Sequence, residues 1–259
     1  MRLPMDLWID SDNALGSRSG DVDDAYAIAA LIRGGAPIAA LSSCAGNTTE
    51  ELALANHKRL AQVLGWKGRV AGATEARRAL ADFRGRIVAL GPCTNLVDAR
   101  QAAEVMVVGG NSSSPGRWPP RWPFEFNLTH DRAAARALFR SNLPLTLFPL
   151  NVARQLWVTA ADLALLQEPA GAFLRSGSLR WFRHLRRVRL TGRFPVYDLA
   201  AAMYALGEGG FVFEDTSASM RGNTFMEFNA GTRPVKVCTA LDRRAVWGRF
   251  VRIVNDGGR

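Results

Sequence analysis

The chain has 259 residues, of which 48% are hydrophobic and 22% are charged, and this composition excludes a disordered or fibrous protein. The length is enough for one large α/β domain and too short to require two, so we predict a single domain over residues 1–259. The net charge of +10 does not by itself indicate a nucleic-acid partner, because the arginines are spread along the chain and lysine occurs only at Lys58, Lys67 and Lys236.

Short apolar runs alternate with helical patterns along the chain, which predicts an α/β fold: a Rossmann-like, open, mostly parallel sheet flanked by helices. The predicted strands are residues 7–9, 37–42, 86–90, 104–108 and 143–150. The predicted helices are residues 23–33, 50–64, 130–141 and 198–206. Residues 235–239 and 249–254 are predicted to belong to a further strand and a further helix late in the sequence.

Polar residues collect directly after the predicted strands. In open α/β sheets, ligands bind outside the carboxyl ends of the strands. Residues 13–22 are rich in glycine and serine, residues 112–123 hold four prolines and two tryptophans, and both segments are predicted to be loops near the ligand face.

Four aspartates form the most informative pattern. Asp10 and Asp12 end the first strand, and Asp23 and Asp24 begin the next helix. Four crowded carboxylates repel at neutral pH, and a hard divalent cation such as Ca²⁺ or Mg²⁺ relieves that repulsion. An N-terminal helix cap and a solvated acidic turn would explain Asp23 and Asp24, but not the pair at the strand end.

Further polar motifs follow later strands. They are Asn47 in LSSCAGN, Gly91 to Asn95 in VALGPCTN, Glu125 and Asn127 in FEFN, and Tyr197 with Asp198 in FPVYDLAAAMY. Each motif alone has an ordinary structural explanation as a turn or a helix cap.

Taken in order, these motifs resemble the inosine-uridine preferring nucleoside hydrolases. The resemblance covers residues 6–254: a D-x-D…DD cluster, a strand ending in GN, a GP-x-TN loop, a V-x-GG strand, EFN before an alanine-rich helix, and a late aspartate that opens a helix. The segments MRGNTF and VCTALD also resemble parts of that family. The order and spacing, rather than any one motif, make the match specific.

The resemblance implies a metal-dependent hydrolase that splits the N-glycosidic bond of a ribonucleoside or related N-riboside into ribose and free base. The implied Ca²⁺ ligands are Asp10, Asp24, Asp198 and the backbone carbonyl of Leu90. Asp12 would be the general base toward a water held by the metal. The implied sugar-binding residues are Asp23 and Asn47 for the ribose hydroxyls, with Glu125 and Asn127 for the rest of the sugar. The family also suggests a homodimer or homotetramer.

Three departures from the family pattern stand out. Residues 13–22 lengthen the first motif by about seven residues, and we expect this insertion to bulge outward. Tyr197 stands where the family has the histidine implicated in protonating the leaving base, which leaves Tyr197 and, as a second candidate, His184 for that role. The chain is also short around residues 112–123 and between Asn151 and Asp198.

Other readings stay open. A homologue that binds ribose or nucleosides without turnover would also keep the fold and the metal. An aspartate-nucleophile phosphohydrolase also begins with a strand and D-x-D, but it leaves the later motifs unexplained. The arginine-rich run between Arg180 and Arg193 fits a solvated helix face, a subunit contact or a grip on a phosphorylated substrate.

Cysteine usage and hydropathy set the remaining expectations. Cys44, Cys93 and Cys238 form no CxxC pair, so we expect reduced thiols rather than a zinc site or a disulfide framework. No apolar run approaches the length of a membrane span, and the N-terminus lacks a signal-peptide pattern. We therefore expect a cytoplasmic protein that acts on a small molecule without membrane contact.

Overall fold

A computed structural model describes residues 5–17, 20–112, 125–167, 169–189, 192–221, 225–228 and 232–256. Almost all of the predicted loop at residues 112–123 lies outside the described residues. Within them, no helix is long and apolar enough to cross a membrane.

Strands and helices alternate over most of this described chain. The strands are β1 Leu7–Ser11, β2 Ile38–Ser43, β3 Val70–Ala71, β4 Arg86–Ala89, β5 Glu104–Val108, β6 Asn111–Ser112, β7 Leu145–Phe148, β8 Trp157–Thr159, β9 Arg193–Pro195, β10 Phe211–Arg221, β11 Phe225–Phe228 and β12 Arg233–Leu241. The helices are α1 Asp23–Arg33, α2 Glu50–Val63, α3 Ala73–Leu80, α4 Asn127–His130, α5 Arg132–Arg140, α6 Leu150–Ala153, α7 Ala160–Ala164, α8 Ala170–Arg189, α9 Leu199–Ala205 and α10 Arg243–Asp256, with a 3₁₀ helix at Cys93–Asp98.

The described strands form one large sheet in the order β3-β2-β1-β4-β5-β7-β12-β10-β11-β6, with β8 and β9 paired separately. The pairs from β3 across to β12 are parallel, whereas β10 runs antiparallel to both β12 and β11. The predicted fold class is therefore confirmed. Strand order reverses beside β1, which has β2 on one side and β4 on the other, and such a switch point opens a crevice for ligands.

Strand β1 is buried along its whole length because helices cover both faces of the sheet. Leu7 and Ile9 pack into the core on the side of α1 and α9, while Trp8 packs into the core on the opposite face. Helix α1 is buried from Asp23 to Leu31, and its alanines let it lie close against the equally alanine-rich α9. This packing brings the beginning of α1 to the end of β1.

The bounds of α1 and β5 agree with the sequence prediction, and the predicted helix at residues 130–141 is divided. Asp131 interrupts it and caps α5 by accepting the backbone N–H of Ala134 at 2.9 Å. Helices α3 and α8 and the antiparallel strands β10 and β11 are not among the elements predicted from the sequence.

The insertion at residues 13–22 was expected to bulge outward, and this expectation is wrong for the described residues near its two ends. Asn13 and Ala14 are fully buried, and Leu15 is 4% exposed. Leu15 packs against α8 at Gly177, where a side chain would collide with it. Leu15 is apolar, and its burial against α8 holds this part of the insertion inward.

Candidate active site

Asp10 lies at the carboxyl end of β1 and is fully buried. Its Oδ1 accepts hydrogen bonds from the Ser42 hydroxyl at 2.5 Å and from the Asn95 side-chain amide at 2.8 Å. Its Oδ2 is buried and has no partner among the described residues. Burial raises the pKa of Asp10 to about 7, and the nearby charge of Asp12 adds to that rise, while both hydrogen bonds oppose it.

Asp12 follows β1 and is also fully buried. Its Oδ2 accepts the backbone N–H of Asn47 at 2.5 Å, whereas its Oδ1 has no partner in the part of the chain that the structure describes. Burial raises the pKa of Asp12 to about 6, although the Asn47 hydrogen bond lowers it. Gly46 and Gly91 enclose this carboxylate, and a Cβ atom at Gly91 would lie 2.6 Å from its Oδ1.

Asp24 is held by a buried relay that the sequence analysis missed. The Ser11 hydroxyl donates to Asp24 Oδ1 at 2.5 Å, and His57 Nε2 lies 3.1 Å from the Ser11 oxygen. Because Ser11 gives its proton to Asp24, Nε2 of His57 is the donor to Ser11. Burial lowers the pKa of His57 to about 3, so this histidine is neutral. A single histidine in an alanine-rich helix carries no sequence signal for this role.

Packing of α1 on α9 brings Asp23, which begins α1, close to Asp198, which directly precedes α9. The backbone N–H of Tyr197 donates to Asp23, whose pKa burial raises to about 7. Burial also raises the pKa of Asp198 well above its usual range, and the charges of Asp23, Asp24, Asp21 and Asp12 contribute to that rise. Asp198 is thus close enough to the N-terminal aspartates to share one electrostatic cluster with them.

Asp21, in the insertion, belongs to the same cluster and was also missed. Carboxylate oxygens of Asp21, Asp23 and Asp24 lie within 4.8 Å of one another. Asp21 Oδ1 is buried and has no partner among the residues described. Asp21 lies in the loop that was expected to bulge outward, although its position two residues before Asp23 was a usable signal.

Glu125 and Asn127 lie beside the ends of β4 and β5. The Asn127 side-chain amide donates to the carbonyl oxygens of Leu90 at 2.6 Å and Val108 at 2.9 Å. Glu125 Oε2 accepts the Leu128 backbone N–H at 2.8 Å, and its buried Oε1 has no partner within the described ranges. Burial raises the pKa of Glu125 to about 7. The Leu90 carbonyl keeps one lone pair beyond the Asn127 bond.

The predicted site residues therefore gather at one edge of the sheet. Asn47 is exposed beside Asp12, and Tyr197 lies beside Asp23. Burial raises the pKa of the Cys93 thiol, and the charges of Glu125 and Asp10 raise it further, so this residue lies between the two groups of carboxylates. His184 lies on α8, where it stacks on Trp181 with ring centroids 5.4 Å apart. The three cysteines are buried and free.

The acidic cluster fits a hard cation. Among the described residues, three buried carboxylate oxygens of this aspartate cluster have no partner, and they are Asp10 Oδ2, Asp12 Oδ1 and Asp21 Oδ1. Carboxylate oxygens are the ligands that Ca²⁺ and Mg²⁺ take. Burial of so many carboxyls raises their pKa values, because the charged forms lose their hydration. A bound cation would offset the free-energy cost of keeping them charged. The fold and site define an α/β protein with a buried acidic cluster, able to hold a cation, at its strand switch point.

Comparison with known proteins identifies the family. The family model described as inosine-uridine preferring nucleoside hydrolase matches residues 77–248, about two thirds of the chain. This chain belongs to that family. The matched range contains Glu125, Asn127 and Asp198, whereas the N-terminal aspartates precede it.

Individual relatives agree with this assignment. The non-specific ribonucleoside hydrolase RihC of Escherichia coli (strain SMS-3-5 / SECEC) is 27% identical over 168 residues, which are 61% of this chain and 53% of the relative. The chain thus spans about half the length of the curated relatives it matches. A plant nucleoside hydrolase, PpNRh1, has a TM-score of 0.81 at 20% identity and covers 98% of this chain and 100% of its own. A purine-preferring ribonucleoside hydrolase from Gardnerella vaginalis has a TM-score of 0.78 at 16% identity, with 96% and 98% covered. At these identities the two structures show the fold.

Proposed function

We propose that this protein hydrolyses the N-glycosidic bond of a ribonucleoside or a related N-riboside and releases ribose and the free base. The observation that carries the proposal is the buried Asp12, whose Oδ1 is unpartnered among the described residues and lies beside further carboxylates at the strand switch point. Family membership supports the same reaction.

In the proposed mechanism, one carboxylate oxygen of Asp12 accepts a proton. Asn47 holds Oδ2 with its backbone N–H, so Oδ1 is the oxygen that faces a water and accepts its proton. The bound cation, which we propose to be Ca²⁺, would lower the pKa of that water and orient the sugar. Cleavage passes through an oxocarbenium-like sugar, whose positive charge the surrounding carboxylates stabilise.

The cation ligands in this proposal are Asp10, Asp24, Asp198 and the Leu90 carbonyl. Asp10 offers its unpartnered Oδ2, because Ser42 and Asn95 hold Oδ1. Ser11 orients the carboxylate of Asp24.

The sugar-binding residues are Asp23, Asn47, Glu125 and Asn127. Glu125 would accept a sugar hydroxyl at Oε1, because Oε2 is occupied by the Leu128 N–H. Both amide protons of Asn127 are used on backbone carbonyls, so its side-chain oxygen is the atom left to meet the sugar. Asp23 and Asn47 would bind the ribose hydroxyls.

Tyr197 determines how the leaving base departs. A tyrosine with its ordinary pKa near 10 is a weak acid at neutral pH. We therefore propose that bases that leave readily as anions, or that need little protonation, are preferred over ordinary purines.

The test is a panel of inosine, uridine, cytidine, adenosine and 5′-nucleotides with Ca²⁺, in which reducing sugar and free base are both measured. We expect release from at least one member, and we expect Tyr197→His to raise purine cleavage relative to pyrimidine cleavage. No release from any member, with Ca²⁺ and ribose still bound, would contradict hydrolysis and leave a ribose- or nucleoside-binding homologue.

Gly91→Ala is expected to displace Asp12. The added methyl would sit 2.6 Å from Asp12 Oδ1 and 3.0 Å from its backbone nitrogen, so the strand end must shift. We expect a loss of about 1–3 kcal/mol in the free energy of unfolding, typical of overpacking, together with lower activity. Thermal unfolding and the nucleoside assay measure the two effects.

The matched control is Gly248→Ala in α10, where a Cβ atom meets nothing within 4 Å. An alanine in this helix is expected to stabilise the protein by up to about 1 kcal/mol. Equal effects of the two substitutions would show that the Gly91 contact does not matter.

The family resemblance adds the finer parts of the proposal. These are a homodimer or homotetramer, a role in purine or pyrimidine salvage, and a cytoplasmic location.

A further inference from the structure

The insertion at residues 13–22 places the carboxylate of Asp21 in the acidic cluster, in addition to the D-x-D…DD aspartates. We propose that Asp21 is a ligand of the bound cation, supplied by the insertion at residues 13–22. This inference rests on the cation site of the proposed function and adds one residue to it.

The first support is position. Carboxylate oxygens of Asp21, Asp23 and Asp24 lie within 4.8 Å of one another, a spacing that one cation can bridge. Asp21 Oδ1 is buried without a partner among the described residues, so it is available to a ligand.

The second support comes from Asp12 and Asp10. Both are fully buried, and each keeps one carboxylate oxygen that no described group satisfies. Burial raises the pKa of Asp21, and the negative charges of Asp23, Asp24 and Asp12 raise it further. The Asp21 carboxylate therefore lies close to theirs. Buried polar atoms are normally satisfied, so several such oxygens in one place indicate a bound group.

The third support is the way the insertion is anchored. Leu15 is buried against Gly177 of α8, and the Asn56 side-chain amide donates to the Asn13 carbonyl at 2.8 Å. Gly20 packs so closely on Ala14 that a Cβ atom there would lie 2.5 Å from the Ala14 Cβ. These contacts hold both ends of the insertion, and they fix Asp21 two residues before the start of α1.

A competing role for Asp21 is to stay protonated and donate a hydrogen bond to Asp23, with which it shares a side-chain contact. Asparagine separates the two roles, because it keeps a donor of similar shape and loses the charge. A ligand role predicts weaker cation binding for Asp21→Asn, whereas a donor role predicts unchanged or tighter binding.

The experiment titrates Ca²⁺ alone into the full chain by calorimetry, without nucleoside. We expect Asp21→Asn to raise the Kd at least about tenfold, since affinity at such sites follows the number of charged ligands. Asp24→Asn is the positive control, and Asp215→Asn, which removes the same charge from an exposed position on β10, is the negative control. A second variant, Asp21→Ser, and the thermal midpoint of each metal-free variant exclude misfolding as the cause.

The outcomes are distinct. Tight Ca²⁺ binding by the native chain and by Asp21→Asn, with loss only in Asp24→Asn, overturns the Asp21 assignment and leaves the proposed function intact. No Ca²⁺ binding by the native chain overturns the cation site itself. Weaker binding in Asp21→Asn and Asp21→Ser, with Asp215→Asn unchanged, supports the proposal.

Discussion

Asp12→Asn is expected to lower kcat by roughly 10²–10⁴-fold, the usual contribution of a general base. Asparagine preserves the shape of the side chain and can still accept the Asn47 N–H at its oxygen, but its amide nitrogen cannot take a proton from water. Because the side chain loses its basic oxygen and little else, we expect the KM to change far less than kcat. Steady-state kinetics on the best substrate of the nucleoside panel measures both quantities.

Two controls make this prediction specific. Asp215→Asn removes the same charge from an exposed site and should leave kcat unchanged. Ca²⁺ titration of Asp12→Asn shows whether the cation still binds. A variant that keeps more than about a third of the native kcat would remove Asp12 from the mechanism, and a loss of activity that follows loss of Ca²⁺ binding would make Asp12 a ligand rather than the base.

We expect the metal-free protein, prepared with a chelator, to become less stable as the pH rises from about 4 to about 7. Burial raises the pKa of Asp10, Asp23 and Glu125 to about 7 from ordinary values of 3.8, 3.8 and 4.5. In this window the folded protein binds more protons than the unfolded chain, so the free energy of unfolding falls with increasing pH. The stabilising contribution is fully present below about pH 4 and is lost as the pH rises through about 7.

Ca²⁺ is expected to reverse this loss at neutral pH. A free concentration of about 100 times the Kd would add about 2.7 kcal/mol to the free energy of unfolding. Denaturant unfolding between pH 4 and 8, with chelator and with Ca²⁺, measures both effects.

Asp10→Asn tests this prediction, because the new asparagine side chain does not titrate. Its oxygen can still accept the hydrogen bonds from Ser42 and Asn95. With chelator at pH 7.5 or so, where the native carboxyl is charged, we expect this variant to be more stable than the native protein and to gain less from Ca²⁺. A metal-free native protein that becomes more stable between pH 4 and 7 would contradict the assigned cause.

The local pattern of the sequence determined much of the fold. Helix α1 begins and ends as predicted, because acidic residues favour its first turn and its apolar residues recur at helical spacing. Strand β5 is a short apolar run bounded by polar and glycine residues, and its predicted bounds agree with the structure. The placement of polar residues after strands likewise predicted where the site would form, since parallel strands share one carboxyl edge.

Only the tertiary structure decided what depends on contacts far apart in sequence. The direction of the insertion follows from Leu15 meeting Gly177, and the relay to Asp24 follows from His57 of α2 meeting Ser11 of β1. The pairing of β10 with β12 and β11 is also non-local. Sequence spacing records which residues share a face of one element, but it does not record which elements pack together. The sequence pattern therefore placed Asp21 in a loop. In the structure, packing of that loop against α8 brings the Asp21 carboxylate into the acidic cluster.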